Sequence, residues 1–266
     1  MAKFPNTFAE NLQYLPADLG DDGNAARERL AQKGFVVVAG LTRHMAGAVS
    51  SAAHQDHIVE VCPKDPTEKR FGTEESTETW LGKGGGRGVM LLAKPIGKGA
   101  LEMAIEGDPK ALKKLRMVGY GWEGGEKSEI IAATGTEVDT TFALRITKEG
   151  LGNRASADFT TAIVTGSAAL YGAQNVWLET YGWNLPANKA YNQAGFEQVK
   201  TSDGSPLEMP TIRPTLHEAG YEFNDGSDRR VFMHQGENDP APRPYVEDVR
   251  LYYTFPNDRL PQLAAA

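Results

Sequence analysis

The chain has 266 residues, of which 40% are apolar and 24% are charged, the balance of an ordinary globular protein. A membrane-spanning helix needs about 20 predominantly apolar residues, and the longest apolar runs, residues 35–39 and 89–93, are far shorter. The single cysteine, Cys62, excludes an internal disulfide framework and a cysteine-rich zinc site. No metal site of another kind is expected, because standard zinc spacing is absent from the one histidine cluster, His44, His54 and His57.

Charge and targeting patterns narrow the choice of partners. The net charge of −7 argues against a nucleic-acid partner, and the densest basic cluster, at residues 110–116, is interpreted as a solvated helix face. Residues 201–248 contain ten acidic residues against four arginines, which suits either a cationic partner or a solvated loop. The first residues, Met-Ala-Lys-Phe-Pro-Asn, lack the apolar stretch of a signal peptide, so a cytoplasmic protein with no membrane partner is expected.

The hydrophobic pattern predicts seven strands separated by helices. The predicted strands are residues 35–39, 88–93, 116–122, 138–147, 176–180, 196–200 and 249–255. The predicted helices are residues 25–33, 42–57, 101–112, 156–171 and 184–194, and residues 63–87 are predicted to be a polar, exposed connection. Asp21 or Asp22 is the predicted cap of the first helix, and glycines end three of the helices, at Gly34, Gly172 and Gly195.

Two of these strands are predicted to be parallel neighbours. Phe142, Leu144 and Ile146 alternate with smaller or more polar residues, which is the period of a β-strand. A helix separates this strand from the strand at residues 176–180, and a right-handed strand–helix–strand crossover joins parallel strands. The sheet is therefore expected to be mixed, with helices packed on it.

The most informative stretch is residues 172–196, in which a glycine and a strand precede the pattern Asn-x-x-Ala-x-x-x-Tyr-x-x-x-Gly-Phe. The pattern is supplied without a gap by Asn184, Ala187, Tyr191, Gly195 and Phe196. This stretch resembles the second half of the N-acetyltransferase (GNAT) superfamily fold. The order of strands and helices fits that family too, and the resemblance covers roughly residues 34–200 and 246–255.

The resemblance implies an α/β fold, namely a GNAT-like mixed seven-stranded sheet flanked by helices, formed by residues 34–266. Residues 1–33 are then an N-terminal extension, and residues 201–245 are an insertion with one possible strand of its own. Acetyl-CoA is the implied cosubstrate. Its pantetheine amides would pair with strand edges at residues 144–147 and 179–182, and its pyrophosphate would lie at a helix N-terminus. The implied cofactor-binding residues are Leu144, Ile146, Gly150, Gly152, Asn153, Arg154, Ser156 and Asn184.

The segment before the fourth predicted helix departs from the family pattern Arg/Gln-x-x-Gly-x-Gly/Ala. Aligned without a gap, Leu151 stands at the first position, Arg154 at the central glycine and Ser156 at the last small residue. A shifted alignment uses Gly150 and Gly152 but shortens the loop. Arg154 is therefore either a charged donor to a phosphate or a side chain that fills the space of the pyrophosphate.

The resemblance assigns Tyr191 the role of a general acid that protonates the departing thiolate; the alternative is that its ring only packs under the sheet. The attacking amine must be neutral, so a carboxylate or an ordered water has to accept a proton. Glu179 is the candidate base, and Glu137 and Asp139 extend the pool. Each of the three is alternatively a solvated or ion-paired carboxylate at the end of a strand.

Two functions are compatible with these patterns. The first is an enzyme that transfers acetyl from acetyl-CoA to a primary amine of a small molecule or protein, by direct attack in a ternary complex. The second is a non-catalytic scaffold or binding protein that contacts protein partners through residues 1–33 and 201–245, for example as a structural component inside a phage particle. The intact motif at residues 184–196 favours the enzyme, whereas the altered loop and the extra segments favour the scaffold.

Overall fold

The computed structural model describes residues 12–40, 47, 49–50, 73–83, 89–124, 140–147, 149–150, 154–215, 231–236 and 241–261. Within them ten strands form one sheet: β1 (Leu12–Tyr14), β2 (Val36–Gly40), β3 (Val89–Pro95), β4 (Leu115–Gly124), β5 (Thr140–Ile146), β6 (Val176–Tyr181), β7 (Glu197–Gln198), β8 (Glu208–Pro214), β9 (Val231–His234) and β10 (Arg243–Thr254). The helices of these residues are α1 (Gly20–Gln32), α2 (Glu74–Lys83), α3 (Ala100–Ile105), α4 (Pro109–Leu112), α5 (Ser156–Tyr171) and α6 (Leu185–Ala194).

The sheet is mixed, as predicted. Its strands lie in the order β1-β2-β3-β4-β5-β6-β10-β7, and β8 and β9 also pair with β10. The one parallel pair among the described strands is β5 with β6, in which residues 140–142 lie beside residues 176–178. The predicted parallel neighbours and the fold class are therefore confirmed. All seven predicted strands are present, but β1, β8 and β9 widen the sheet beyond the seven strands that were predicted.

Helix α5 makes the crossover between the two parallel strands, and it is buried along most of its length. Small residues allow this close packing, and its threonines satisfy their hydroxyls within the helix: those of Thr160, Thr161 and Thr165 donate to carbonyls one turn earlier. Gly172 ends the helix in the left-handed conformation, with φ 68°, as the sequence predicts. The helix is therefore buried from Asp158 to Ala169, and it ends at the glycine that the sequence predicts.

The N-terminal segment is integrated into the fold. β1 pairs with β2 in an antiparallel manner, and α1 packs along α5. Gly23 permits this approach, because a Cβ at that position would collide with Thr165 and with Leu19. Helix α1 begins at Gly20 with Leu19 as its N-cap, so the predicted cap at Asp21 or Asp22 is wrong; both aspartates lie in the first turn.

Two further local predictions change, and a third is left untested. Residues 101–112 form two short helices. The second helix begins at Pro109, and the Asp108 side chain caps it by accepting from the Lys110 N–H. Residues 63–87 were predicted to be a connection, yet they contain α2. Most of the helix predicted at residues 42–57 lies outside the described residues.

The insertion extends the sheet. β8 pairs with residues 245–251 of β10, and β9 pairs with residues 243–246, so β10 is longer than the strand predicted there. The confirmed strand β9 matches the possible strand inside the insertion.

Apolar side chains fill both faces of the sheet. The largest cluster lies between the sheet and helices α1, α5 and α6, and a second lies against α3 and α4 on the other face. No described helix combines the length and apolar character needed to cross a bilayer. In the part of the chain that the structure describes, no three His, Cys, Asp or Glu side chains are placed to hold a metal ion; the three clustered histidines lie outside it.

Candidate active site

The two parallel strands diverge after three residue pairs and leave a cleft. β5 continues to Ile146 along β4, since Arg145 lies opposite Tyr120 and Ile146 lies opposite Gly119. β6 continues along β10, where Glu179 lies opposite Tyr252. β5 stays paired with β4, and β6 stays paired with β10. Because the sheet twists, the edges of β5 and β6 that face each other separate. The backbone of residues 143–146 and that of residues 179–181 therefore line a cleft in the middle of the sheet.

A small cavity lies in this cleft. Its volume is about 70 Å³, and it is lined by Leu144, Arg145, Ile146, Ser156, Thr160, Asn184, Pro186, Ala187, Ala190 and Tyr191. Five of the residues predicted for the site thus surround one space: Leu144, Ile146, Ser156, Asn184 and Tyr191. They come from β5, the start of α5 and helix α6, which only the folded chain brings together.

Tyr191 lies on the buried face of α6, with 8% of its surface exposed. Its ring meets Tyr253 edge-on at 5.7 Å between centroids and lies 6.2 Å from Phe196. Burial raises the pKa of Tyr191 to about 12, against a smaller opposing effect of the Arg145 charge. The hydroxyl therefore stays protonated at every ordinary pH, and Tyr191 lines the cavity from the helical face of the sheet.

Two asparagines hold α6 in place. The side chain of Asn184 caps the helix by accepting from the Ala187 N–H at 3.3 Å. Asn188 donates to the carbonyls of Tyr181 and Gly182 at the end of β6 and accepts from the Tyr253 hydroxyl at 3.2 Å. The motif asparagine predicted to bind the cofactor is thus also the structural cap that orients Tyr191.

The start of α5 faces the same cleft. Ala155 is its N-cap, and among the residues that the structure describes no side chain caps the helix. Arg154, where the family pattern has a glycine, adopts the left-handed conformation with φ 53°. Gly150 is buried where a Cβ would collide with Ile146. Two other predicted cofactor residues, Gly152 and Asn153, lie outside the described residues.

Glu179 lies on the opposite face of the sheet from Tyr191. Its neighbour Leu178 belongs to the core under α5, and side chains alternate along a strand. The Arg250 guanidinium donates to Glu179 Oε1 at 3.3 Å. The two predicted catalytic residues therefore flank the cleft from its two faces. The other members of the carboxylate pool, Glu137 and Asp139, lie outside the described residues.

Some residues at the site were not predicted. Arg145 lines the cavity although the strand alternation places it on the face away from α5. Thr160 follows Ser156 by one helical turn, a spacing that could have revealed it.

An ion pair lies on the same face of the sheet as Glu179. The Arg213 guanidinium pairs with the buried Asp248 carboxylate at 2.7 Å and stacks 4.6 Å from the ring centre of Trp183.

The strand arrangement decides the fold family. One parallel pair interrupts an antiparallel sheet, a buried helix joins its strands, and the last long strand is inserted between β6 and β7. This is the GNAT-like fold that the sequence resemblance implies. No protein-family model matches the sequence, and no curated protein matches it either.

Several solved structures are similar to this chain at low identity. The structure of yncA from Salmonella typhimurium with its cofactor acetyl-CoA has a TM-score of 0.45 and 10% identity, covering 87% of this chain and 97% of its own. A GNAT-family acetyltransferase from Bacillus anthracis has a TM-score of 0.43 and 10% identity, covering 84% and 95%. AAC(6')-Ib in complex with paromomycin and acetyl-CoA has a TM-score of 0.39 and 15% identity, covering 64% and 90%. At TM-scores below 0.5 these likenesses carry no argument about activity.

Proposed function

We propose that the protein is an acetyl-CoA-dependent N-acetyltransferase that transfers acetyl to a primary amine. The observation that carries the proposal is the cleft between the diverging strands β5 and β6, with the uncapped start of α5 at its edge and the Tyr191 phenol in its wall. A strand edge, a helix N-terminus and a neutral proton donor are what the three parts of a thioester coenzyme require.

The described residues fit such a coenzyme in three ways. The pairing of β5 with β6 ends at Phe142 and Leu178, so the backbone of residues 143–146 lies at the inner edge of β5, where it can pair with the amides of a pantetheine arm. The N–H groups at the start of α5 suit a pyrophosphate. The cavity of about 70 Å³ has the volume of two to three water molecules in the liquid. It has room for an acetyl group, while the arm itself lies along the open cleft.

In the proposed reaction, the amine nitrogen forms a bond to the carbonyl carbon and the carbon–sulfur bond breaks. Tyr191 donates a hydrogen bond to the departing sulfur from the helical face. Glu179, or a water that it orders, accepts the proton of the amine on the opposite face. The amine panel for a test includes polyamines, aminoglycosides, amino acids and peptides, because the acceptor is not specified by the cleft itself.

The second candidate, a non-catalytic protein with the same fold, has one specific observation in its favour. Arg154 occupies the left-handed turn at the start of α5, where a glycine would leave room for a phosphate. A side chain that blocks the turn would abolish coenzyme binding and leave a scaffold.

Ligand-dependent stability separates the two candidates. A ligand at 100 times its dissociation constant stabilises the native state by about 2.7 kcal/mol, which a thermal melt detects readily. We expect acetyl-CoA to raise the melting temperature and free thiol to be released when an amine of the panel is added. A folded protein whose melting temperature does not respond to millimolar acetyl-CoA would contradict the enzyme and support the scaffold.

A further inference from the structure

Two cations of the N-terminal segment reach the start of α5. The Lys33 ammonium donates to the Arg154 carbonyl at 2.9 Å and to the Asp158 carboxylate at 2.6 Å. The Arg29 guanidinium donates to the other carboxylate oxygen of Asp158, also at 2.6 Å. Asp158 lies in the first turn of α5 and its side chain is only 8% exposed. One carboxylate therefore ties two cations to the beginning of the helix.

The Lys33 contact acts on a backbone turn. Arg154 is a non-glycine residue with positive φ, a conformation that persists only where the surroundings hold it. The orientation of its carbonyl follows from its backbone angles, and the Lys33 ammonium binds that carbonyl directly. Lys33 therefore stabilises the turn that leads into the first N–H groups of α5.

The same contacts set the charge at this helix end. Asp158 by itself would place a negative charge in the first turn of a helix that is to bind a pyrophosphate, and like charges repel. Two cations on one carboxylate reverse the sign of the local charge. Lys33 and Arg29 thus turn a site that repels anions into one that attracts them.

Helix α1 delivers these cations from a well-held position. It packs closely on α5 at Gly23, where a Cβ would collide with Thr165. Lys33 is the C-cap of this helix and is 30% exposed, so its ammonium is held between α1 and α5 and not extended into solvent.

We propose that Lys33 is a positioning residue for coenzyme binding: through the Arg154 carbonyl and, with Arg29, through Asp158, it prepares the start of α5 for the pyrophosphate. This inference rests on the proposed acetyltransferase function. It makes the N-terminal segment part of the coenzyme site, although none of the residues described in that segment, 12–33, lines the cavity.

The test compares two ligands that differ in the pyrophosphate. Binding of coenzyme A and of pantetheine, which lacks the nucleotide, is measured by calorimetry for the wild type and Lys33→Met. We expect Lys33→Met to weaken coenzyme A about tenfold, equal to about 1.4 kcal/mol, and to leave pantetheine unchanged. Lys33→Arg should restore most of the loss, since it keeps the charge and the donors.

Two further variants complete the design. Arg29→Met is expected to weaken coenzyme A and leave pantetheine unchanged, as Lys33→Met does. The Arg29 side chain is 52% exposed and that of Lys33 is 30% exposed, so Arg29→Met disturbs less packing. Asp22→Asn removes an ion pair from the other end of the same helix and should bind both ligands as the wild type does.

The outcomes are distinct. Equal losses for both ligands, or no loss for either, would overturn the role of Lys33 while leaving the acetyltransferase proposal intact. A folded wild type that binds neither ligand would overturn the proposed function itself, and the role of Lys33 with it.

Discussion

Replacing Tyr191 by phenylalanine isolates the contribution of one hydroxyl. The ring contacts with Tyr253 and Phe196 are retained, so the buried core around α6 should be unchanged. Tyr191 lines the cavity where the thioester is proposed to lie. Any change in turnover therefore reports on hydrogen bonding or proton donation at the sulfur.

The raised pKa of Tyr191 sets the size of the effect. An ordinary thiol has a pKa of about 8.5, and that of Tyr191 is about 12. Complete proton transfer from the phenol to the thiolate would then be uphill by about 5 kcal/mol, because each pKa unit is worth about 1.36 kcal/mol. Tyr191 is thus better suited to donating a hydrogen bond, and such a bond to a charged group contributes about 1.5–3 kcal/mol. We expect Tyr191→Phe to slow turnover about 10- to 150-fold.

The assay is thiol release at saturating acetyl-CoA, with the dissociation constant of coenzyme A measured alongside. Tyr253→Phe is the matched control, because its hydroxyl binds Asn188 and does not line the cavity. Since Tyr191 stays protonated far above neutral pH, the ratio of wild-type to mutant rates should be constant between about pH 6 and pH 10. Equal rates for wild type and Tyr191→Phe would refute the role of the hydroxyl, and a ratio that falls towards one before pH 10 would refute the raised pKa.

Three other substitutions test the neighbouring structure. Arg154→Gly removes the guanidinium, and glycine adopts the left-handed turn without strain, so the free energy of unfolding in urea should rise by up to about 1 kcal/mol. Coenzyme A should bind about tenfold more weakly if the guanidinium contacts a phosphate. Tighter binding would identify the guanidinium as an obstruction. Asn184→Ala removes the cap of α6 and should cost about 1 kcal/mol of unfolding free energy, most of which Asn184→Ser retains; an unchanged denaturation midpoint would contradict this. Arg213→Met leaves the Asp248 carboxylate, whose side chain is 0% exposed, without its cation and should cost about 3–5 kcal/mol; a loss under 1 kcal/mol would show that the pair is solvated.

Sequence patterns were sufficient for the elements around the cleft. The alternation at residues 142–146 and the crossover rule predicted a parallel pair, which the structure contains. Glycines with positive φ end α5 and α6 at the predicted positions, Gly172 and Gly195. These features depend on local backbone preferences and on the face that each element buries, and both are encoded within a few neighbouring residues.

The sequence predicted helix ends, polar helices and edge strands less well, and the reason is physical. The cap of α1 was placed on an aspartate, although Leu19 occupies that position and Asn24 accepts its N–H. The polar segment containing α2 shows little apolar periodicity, since much of its surface is charged. β1 and β8 are edge strands whose pairing depends on a distant partner and not on their own pattern.

The sequence by itself determined that Tyr191 lies on a helix directly after a buried strand, because the motif from Asn184 to Phe196 supplies the cap, the body and the terminal glycine of that helix. Only the tertiary structure decided how these residues act together. It opened the cleft, because β5 follows β4 while β6 follows β10. It also brought Lys33 to Asp158, which lies 125 residues further along the chain. Periodicity specifies that a face is buried, but which remote segment covers it depends on packing between elements that share no sequence signal.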